Sequence, residues 1–449
     1  MALFLVIAFS FPGTGDSGDS VMHFLVAHYA FLHPELFLDH WGKPVFTLFS
    51  APFAYFGFVG MKIFNVLAAM GTMLLLTNMG GRLAIAKPWS AAGFLILSPG
   101  YFLLIFSGLT EPFFGFLLCL AAWLLLLDKW QLSALVISLL PFVRPEGLFF
   151  IGLFSFYFLL HRKFRFLPWF LFGHLALMLI GWPYFKDPFW VFNRMTNAVS
   201  GVYYHPGGDP WHFIRQLFYM LGPIVYGLFI IGLAGVFKQA WKKWPRPFTF
   251  QLSILAGSIL IFIIAHSIFW YFGIFKSMGL VRVLICIIPL ICLLAAQGFQ
   301  TLLQLANAHP RIRVLLTSLV LLLALVFPFS GNKASINWFD DFRYSADQQL
   351  ILDLGDTLHS IDPEYRQHIR AYSHPSIPFL FQFDPFLPEI SRTVHPSALT
   401  ALPDGSLIIW DNWYSVTENQ TEAADLESLG FIQIGNFSDG RFEFLVYQK

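Results

Sequence analysis

The sequence predicts an α-helical polytopic membrane protein with a small α/β domain at its C-terminal end. Of its 449 residues, 57% are hydrophobic and only 12% are charged, whereas soluble domains carry about 25% charged residues. The charges also divide unevenly along the chain. Residues 1–330 hold 20 Lys and Arg against 9 Asp and Glu, and residues 331–449 hold 7 against 17. We therefore expect a basic membrane domain, 1–330, followed by an acidic α/β domain, 331–449. Within the latter, the pattern predicts a helix at 345–360, a strand at 406–410 and a final hairpin at 430–447.

About eleven apolar runs are candidates for spanning helices. A hydrocarbon core of about 30 Å needs roughly 20 helical residues and tolerates no unsatisfied backbone. The first run is short for a span and lacks the basic start of a cleavable signal peptide, so we expect it to be the first spanning helix. The runs lie near residues 1–11, 62–80, 88–107, 112–127, 131–143, 147–161, 167–185, 218–237, 248–271, 279–300 and 314–330.

The distribution of Lys and Arg predicts the orientation of these spans. With the N-terminus inside, the short inner loops hold most of the basic residues, as the positive-inside rule requires. Of the nine acidic residues before residue 330, only Asp128 then lies inside. An odd number of spans places the C-terminal domain outside. The first outer loop, 12–61, contains two stretches, 20–33 and 45–58, that we expect to lie in the membrane interface.

Several chemistries lack the motifs that they need. The three cysteines, Cys119, Cys286 and Cys292, lie in apolar runs and form no CxxC pair, so a disulfide framework or thiolate metal site is not expected. His23 and His28 are five residues apart and do not stack on one helical face, and no HExxH motif accompanies them. The sequence also lacks the glycine-rich motifs of ATP-driven transport and of dinucleotide binding.

Two aspartates stand at the start of the first outer loop. The segment Gly15-Asp16-Ser17-Gly18-Asp19-Ser20 follows the first apolar run. Carboxylates flanked by glycines at the membrane surface suit a general base or, together with Glu111, a site for a hard cation such as Mg²⁺. The alternative is a solvated turn whose Asp caps the next helix, and the spacing by itself favours this alternative.

Other charged residues stand at the outer ends of predicted spans. An ionisable group at membrane depth costs roughly 2.5 to 3.5 kcal/mol, so Glu111 either faces a cavity or belongs to a capped helix start. For Arg144 and Glu146 we favour an ion pair that ties two helix ends. Arg282 and Lys276 either bind a lipid phosphate or extend their side chains to the interface.

The order of these motifs resembles that of the GT-C superfamily. Its members are polytopic glycosyltransferases that take a sugar from a polyprenyl-phosphate carrier, such as protein mannosyltransferases, lipid A aminoarabinose transferases and oligosaccharyltransferases. The resemblance covers nearly all of residues 1–330. It rests on the outer-loop aspartates and an exported C-terminal domain, and on the segments Gly18-Asp19-Ser20 with His23, Trp41-Gly42-Lys43-Pro44, Thr110-Glu111-Pro112 and Arg144-Pro145-Glu146-Gly147.

This resemblance implies roles for individual residues. The catalytic carboxylate would be Asp19, with Asp16 as the competing choice, and Glu111 would be the second carboxylate. Arg282 is the first choice, and Lys276 the second, for the residue that meets the carrier phosphate. Further substrate-binding candidates are His23, Lys62, Arg144, Glu146, Tyr204 and His205. We expect no cofactor to be required, with Mg²⁺ or Mn²⁺ bound to Asp16, Asp19 and Glu111 as the alternative.

The implied reaction is inverting transfer of a sugar to an acceptor hydroxyl. A lipid phosphate is already a good leaving group, so the protein must orient the hydroxyl, accept its proton and hold the phosphate. Expected partners are the polyprenyl-phosphate-linked sugar, a glycan, lipid or protein acceptor, and the bilayer, but no nucleic acid. For a bacterial host the site faces the periplasm from the inner membrane. The alternative function, a transporter or flippase of a lipid-linked amphiphile, is disfavoured because the acidic residues gather on one face and no repeated halves are visible.

Overall fold

The computed structural model describes residues 2–195, 207–243, 248–275, 277–305, 310–330, 336–399 and 402–449. Up to residue 330, the described part is helical. Its α-helices are α1 Ala2–Ser10, α2 Asp19–Tyr29, α3 Pro44–Ala54, α4 Phe58–Arg82, α5 Trp89–Leu97, α6 Pro99–Leu104, α7 Glu111–Leu126, α8 Trp130–Leu139, α9 Gly147–Leu160, α10 Phe172–Phe185, α11 Trp190–Met195, α12 His212–Leu221, α13 Pro223–Lys242, α14 Gly257–Phe272, α15 Ile288–Leu305 and α16 Pro310–Val326.

The structure does not establish the expected count of eleven spans. Among the described residues, six helical segments are long and apolar enough to cross a membrane: Phe58–Arg82, Phe164–Phe185, Pro223–Lys242, Gln251–Phe272, Ile288–Leu305 and Pro310–Phe329. Four shorter apolar segments accompany them: Pro44–Ala54, Glu111–Leu126, Trp130–Phe142 and Gly147–Leu160. The run predicted at 88–107 is divided between α5 and α6, because Ser98 is extended and Pro99 begins a new helix.

The segment predicted as the first outer loop, 12–61, contains two short α-helices. The stretches predicted at 20–33 and 45–58 correspond to α2 and α3, which pack against each other, and α3 also packs against α4. Rings of Phe46, Phe64 and Phe113 join α3, α4 and α7, with centroids 5.1 to 6.2 Å apart. Aromatic pairs at such distances add stabilisation beyond buried area. This cluster fixes the loop helices to the N-terminal end of α7.

The C-terminal part forms a four-stranded sheet with helices. Its strands are β1 Ile369–Tyr372, β2 Leu407–Asp411, β3 Ile432–Ser438 and β4 Glu443–Gln448, in the order β1-β2-β4-β3. Only the β1–β2 pair is parallel. Its α-helices are α17 Ala346–Ile361, α18 Tyr365–His368, α19 Ser376–Phe381, α20 Pro396–Leu399 and α21 Ala423–Ser428. The helix predicted at 345–360, the strand at 406–410 and the hairpin at 430–447 are confirmed.

The C-terminal part packs directly on the first outer loop. The ring of Phe379 meets Phe24 of α2 with a centroid distance of 5.6 Å. Nearby, His33 Nε2 lies 2.7 Å from the Asp384 carboxylate. At its start, α17 has a capping box formed by Ser345 and Gln348, which satisfies the first amides of the helix. The beginning of α17 is thereby held close to the beginning of α2.

Candidate functional site

Asp16 organises the turn that leads into α2. Its Oδ1 accepts hydrogen bonds from the amides of Gly18 and Ser20, at 3.0 and 3.1 Å. These amides belong to the start of a helix, where backbone donors lack intrahelical partners. Asp16 therefore caps the start of α2, as the turn interpretation of this segment predicts. Its second oxygen, Oδ2, forms an ion pair with Arg282.

Asp19 is the first residue of α2, and it shares Arg282 with Asp16. The guanidinium of Arg282 places Nη1 on Asp16 and Nη2 on Asp19. Arg282 lies in a 3₁₀ segment, Val281–Cys286, immediately before α15. Two aspartates of the first outer loop and one arginine from late in the chain therefore form a single charged cluster.

Glu111 connects this cluster to a second one. It begins α7 with Pro112 in the first turn, and its side chain is 1% exposed. Its Oε1 lies 3.6 Å from Arg282 Nε and 2.7 Å from Arg144 Nη1. Pro112 lies in the first turn, as the capped-helix interpretation expected, but Thr110 makes no side-chain cap hydrogen bond. Glu111 is not among the residues that line the cavity described below, so it faces Arg144 and Arg282 rather than open space. A carboxylate this deeply buried is stabilised only because it is paired.

Arg144 lies between Glu111 and Glu146. Its Nη2 is 2.9 Å from Glu146 Oε1, which confirms the ion pair favoured from the sequence. Burial opposes the ionisation of Glu146, but Arg144 and His266, whose Nε2 is 3.5 Å away, hold the pKa of this carboxyl below its usual value. The second cluster thus comprises Glu111, Arg144, Glu146 and His266.

Both clusters border a cavity of about 540 Å³. Asp19, His23, Trp41, Lys43, Thr110, Arg144, Glu146 and His266 form its polar end, and the remaining lining is Pro145, Leu148, Phe149, Phe213, Phe269, Phe275, Ser277, Met278, Leu280 and Val283. Glu111 reaches the cavity through Arg144. Among the described residues, Glu111 Oε2, Glu146 Oε2 and His23 Nδ1 are buried without a hydrogen-bond partner. The polar end therefore retains hydrogen-bonding capacity for a ligand.

Lys43 contributes a positive charge to this cavity. Its Nζ donates to the carbonyl of His40 at 3.1 Å, and burial, followed by the charge of Arg144, lowers its pKa. Its backbone has φ +65°, a region that non-glycine residues rarely adopt and that clusters at functional sites. The turn is fixed by Asp39, whose Oδ1 accepts from the Gly42 amide at 2.6 Å.

His23 and Trp41 form an aromatic wall of the same cavity. Their rings are stacked, with centroids 4.7 Å apart. Burial, followed by the charge of Lys43, lowers the pKa of His23 well below its usual value. The lowered pKa favours the neutral ring, which can donate and accept hydrogen bonds without adding charge.

The remaining predicted residues lie elsewhere. Lys62 is buried in α4 and donates from Nζ to the carbonyl of Phe11 at 2.7 Å, and it does not line the cavity. It holds the chain that leaves α1. Lys276, Tyr204 and His205 lie outside the described residues.

The carboxylates do not have the arrangement of a metal site. Within the described ranges, no group of three His, Cys, Asp or Glu side chains is placed to hold an ion. The guanidinium of Arg282 contacts Asp16, Asp19 and Glu111 and supplies the positive charge among them. These three carboxylates, as arranged, do not fit Mg²⁺ or Mn²⁺.

Sequence reasoning missed Lys43 and His266 as cavity residues. Lys43 stood in a quoted motif, but its role depends on a left-handed backbone that no local pattern announces. His266 lies within an apolar run. An isolated histidine in such a run could have been recognised from the sequence, because a polar ring inside a span needs a partner. That partner, Glu146, is 120 positions earlier in the chain and could not be identified from spacing.

Comparison with known proteins supports the fold. ArnT from Cupriavidus metallidurans in the apo state matches with a TM-score of 0.58 and 12% sequence identity, over 99% of this chain and 96% of that chain. The same protein bound to undecaprenyl phosphate matches with a TM-score of 0.59 at 12% identity and the same coverage. No family model and no curated protein sequence matches the chain. The chain is a multi-pass membrane protein with an ArnT-like fold, as the GT-C resemblance implied.

Proposed function

We propose that this protein is an inverting glycosyltransferase of the inner membrane, which moves a sugar from a polyprenyl-phosphate carrier to an acceptor hydroxyl on the periplasmic side. One observation carries the proposal: Asp16, Asp19 and Glu111, from two distant segments, meet on Arg282 beside a cavity. Support comes from the ArnT-like fold and from undecaprenyl phosphate in one of the similar structures.

Asp19 is the residue that we propose as general base. Asp16 has both oxygens engaged, one by backbone amides and one by Arg282. Asp19 lines the cavity, and Arg282 holds its Oδ2, which leaves Oδ1 to accept the proton of an acceptor hydroxyl. Because Arg282 orients this carboxylate, the base is in place before the acceptor arrives.

Lys43 is the residue that we propose to hold the carrier phosphate. Arg282 and Arg144 each bind two or more carboxylates. Among the described residues, Lys43 lines the cavity and has no carboxylate within ion-pair distance, so its charge is available for the phosphate. Arg282, the first choice from the sequence, is assigned instead to holding Asp19. A cation at the leaving oxygen stabilises the charge that develops as the sugar departs.

The shape of the cavity suits an isoprenoid carrier. Beyond its polar end, the walls are mostly apolar, with Phe149, Phe269, Phe275, Met278 and Leu280. Apolar walls with a few convergent polar groups are the usual form of a small-molecule site. In the proposed binding mode the first isoprene units lie along these side chains, and the phosphate lies at the polar end near Asp19.

The test uses the full chain in lipid nanodiscs with a panel of polyprenyl-phosphate sugars, including the mannose, glucose and aminoarabinose forms, and with acceptor-containing membranes. We expect wild-type protein to release free polyprenyl phosphate, and Asp19→Asn to reduce this rate by about 10²- to 10⁴-fold. Asp356→Asn, on the exposed side of α17, is the matched control and retains full activity. Full transfer by folded Asp16→Asn, Asp19→Asn and Glu111→Gln variants alike would contradict the proposal, as would uptake of intact donor without cleavage.

A further inference from the structure

The segment that precedes the proposed base is bound by the C-terminal part of the chain. The Gly13 amide donates to the Phe342 carbonyl at 3.0 Å. Gln348 Nε2 donates a hydrogen bond to Thr14 Oγ1 at 3.0 Å. A Cβ at Gly13 would lie 2.6 Å from the Phe342 backbone, so these two segments of the chain approach too closely for any side chain at position 13. These contacts hold the entry to the Asp16–Asp19 turn.

Asp347 holds the middle of the same turn. Ser17 Oγ donates to Asp347 Oδ2 at 2.5 Å, between the two aspartates of the site. Asp347 lies in the first turn of α17 and is 4% exposed. An acidic side chain there interacts favourably with the helix dipole, and a charge-assisted hydrogen bond is stronger than a neutral one.

His374 fixes the orientation of Asp347. Its Nδ1 accepts from the Ser376 amide at 3.1 Å, so the neutral ring carries its proton on Nε2, which lies 3.1 Å from Asp347 Oδ2 and donates to it. Ser376 returns to the turn, because its Oγ donates to the Ser17 carbonyl at 2.7 Å. Ser17 is thus held by its hydroxyl and by its carbonyl.

Tyr414 covers the other side of the turn. A Cβ at Gly18 would lie 2.1 Å from Tyr414 Oη, so the phenol rests directly on the glycine between Asp16 and Asp19. The Tyr414 ring meets the His374 ring edge to face, with centroids 4.9 Å apart. Asp347 binds Ser17 and His374, and Tyr414 packs on both His374 and Gly18. Together the three side chains enclose residues 17 and 18.

We propose, on the basis of the function proposed above, that Asp347, His374 and Tyr414 are positioning residues for the transfer reaction. They fix Ser17 and Gly18 and thereby aim the Asp19 carboxylate at the cavity. The C-terminal part completes the site without touching the reacting atoms. A shift of about 1 Å in a catalytic group can cost about 10²-fold in rate, so a contact one or two residues from the base is sufficient to control it.

The first test compares Ser17→Ala, Asp347→Asn and the double variant in nanodiscs. We expect each single variant to lower kcat by about 10- to 100-fold with the KM of the donor unchanged, because the cavity itself is intact. The double variant should be no slower than the slower single variant, since both substitutions disrupt the same hydrogen bond between Ser17 and Asp347. Ser17→Thr, which keeps the hydroxyl, should retain more activity than Ser17→Ala. Asp356→Asn on the same helix is the control.

The second test is independent of activity. Hydrogen–deuterium exchange of the full chain should show faster exchange at residues 13–20 in Asp347→Asn, with α4 unchanged. Unchanged exchange in this segment together with unchanged kcat would overturn the positioning role, and so would multiplicative losses in the double variant. If exchange increases in the variant but wild-type protein transfers no sugar, the proposed function fails while the positioning contact stands.

Discussion

The two charged clusters of the site have similar composition but different exposure. In one, Arg282 pairs with Asp16 and Asp19, whose side chains are 29% and 44% exposed. In the other, Arg144 pairs with Glu111 and Glu146, which are 1% and 11% exposed. A buried ion pair is needed for the fold once it is present, because removing one partner leaves an uncompensated charge. A half-exposed pair can accept a ligand. The comparison separates a scaffold, around Arg144, from a reactive group, around Arg282.

The largest expected effect is a difference in stability between variants of the two clusters. Arg144→Leu leaves two buried carboxylates without their cation and should cost about 3 to 5 kcal/mol of stability. Arg282→Leu leaves Asp16 and Asp19, which water reaches, while the buried Glu111 keeps its ion pair with Arg144, so the cost should be about 1 kcal/mol, although transfer is lost. Thermal unfolding of both variants in the same nanodiscs measures the difference. Equal unfolding temperatures for the two variants would show that the clusters do not differ in this way.

A smaller effect is expected at Lys43. Lys43→Gln removes a charge that has no described carboxylate within ion-pair distance, and a hydrogen bond to a charged group contributes about 1.5 to 3 kcal/mol. The KM of the polyprenyl-phosphate sugar should therefore rise about 10-fold or more, with the unfolding temperature nearly unchanged. Steady-state kinetics over a range of donor concentrations measure it. A fall in kcat at constant KM would instead assign Lys43 to the chemical step.

The smallest effect is the pH dependence of donor binding. Burial and the charge of Arg144 lower the pKa of Lys43 from its usual value of 10.5, so this side chain loses its proton at a lower pH than an exposed lysine. The KM of the donor should rise as pH increases through that lowered pKa. Lys43→Arg stays charged, and its KM should remain flat over the same alkaline range. If the KM of the donor rises with pH to the same extent in wild-type protein and in Lys43→Arg, Lys43 is not the titrating group.

The sequence identified the charged residues that are costly to bury and the local Arg144–Glu146 pair, but not the pairs between distant segments. Asp19, Glu111, Arg144, Glu146 and Arg282 were identifiable because charges are rare beside apolar runs. The pairing of Asp16 with Arg282 joins positions 266 residues apart, and no spacing rule reaches that far. The assignment of Arg282 to phosphate binding followed from its position at a span end. The structure instead surrounds its guanidinium with carboxylates.

Local signals performed better for secondary structure than for the arrangement of elements. The helix α17 and the β3–β4 hairpin were predictable from periodicity and turn residues. The count of spans was not, because several described apolar helices, such as Glu111–Leu126 and Gly147–Leu160, are shorter than a span, and Pro99 divides another apolar run. Nothing in the local pattern indicated that Asp347 and Tyr414 would lie on the first outer loop. That contact depends on how the C-terminal part docks.

The central claim is that a lipid phosphate binds beside Asp19 at the polar end of the cavity. Electron cryomicroscopy of the full chain in nanodiscs with added undecaprenyl phosphate tests it most directly. We expect the phosphate within hydrogen-bond distance of Lys43 Nζ, with Asp19 facing it and the isoprenoid along Phe149 and Phe269. A phosphate bound elsewhere on the protein, with the cavity lined by Asp19 and Lys43 closed to it, would contradict the claim.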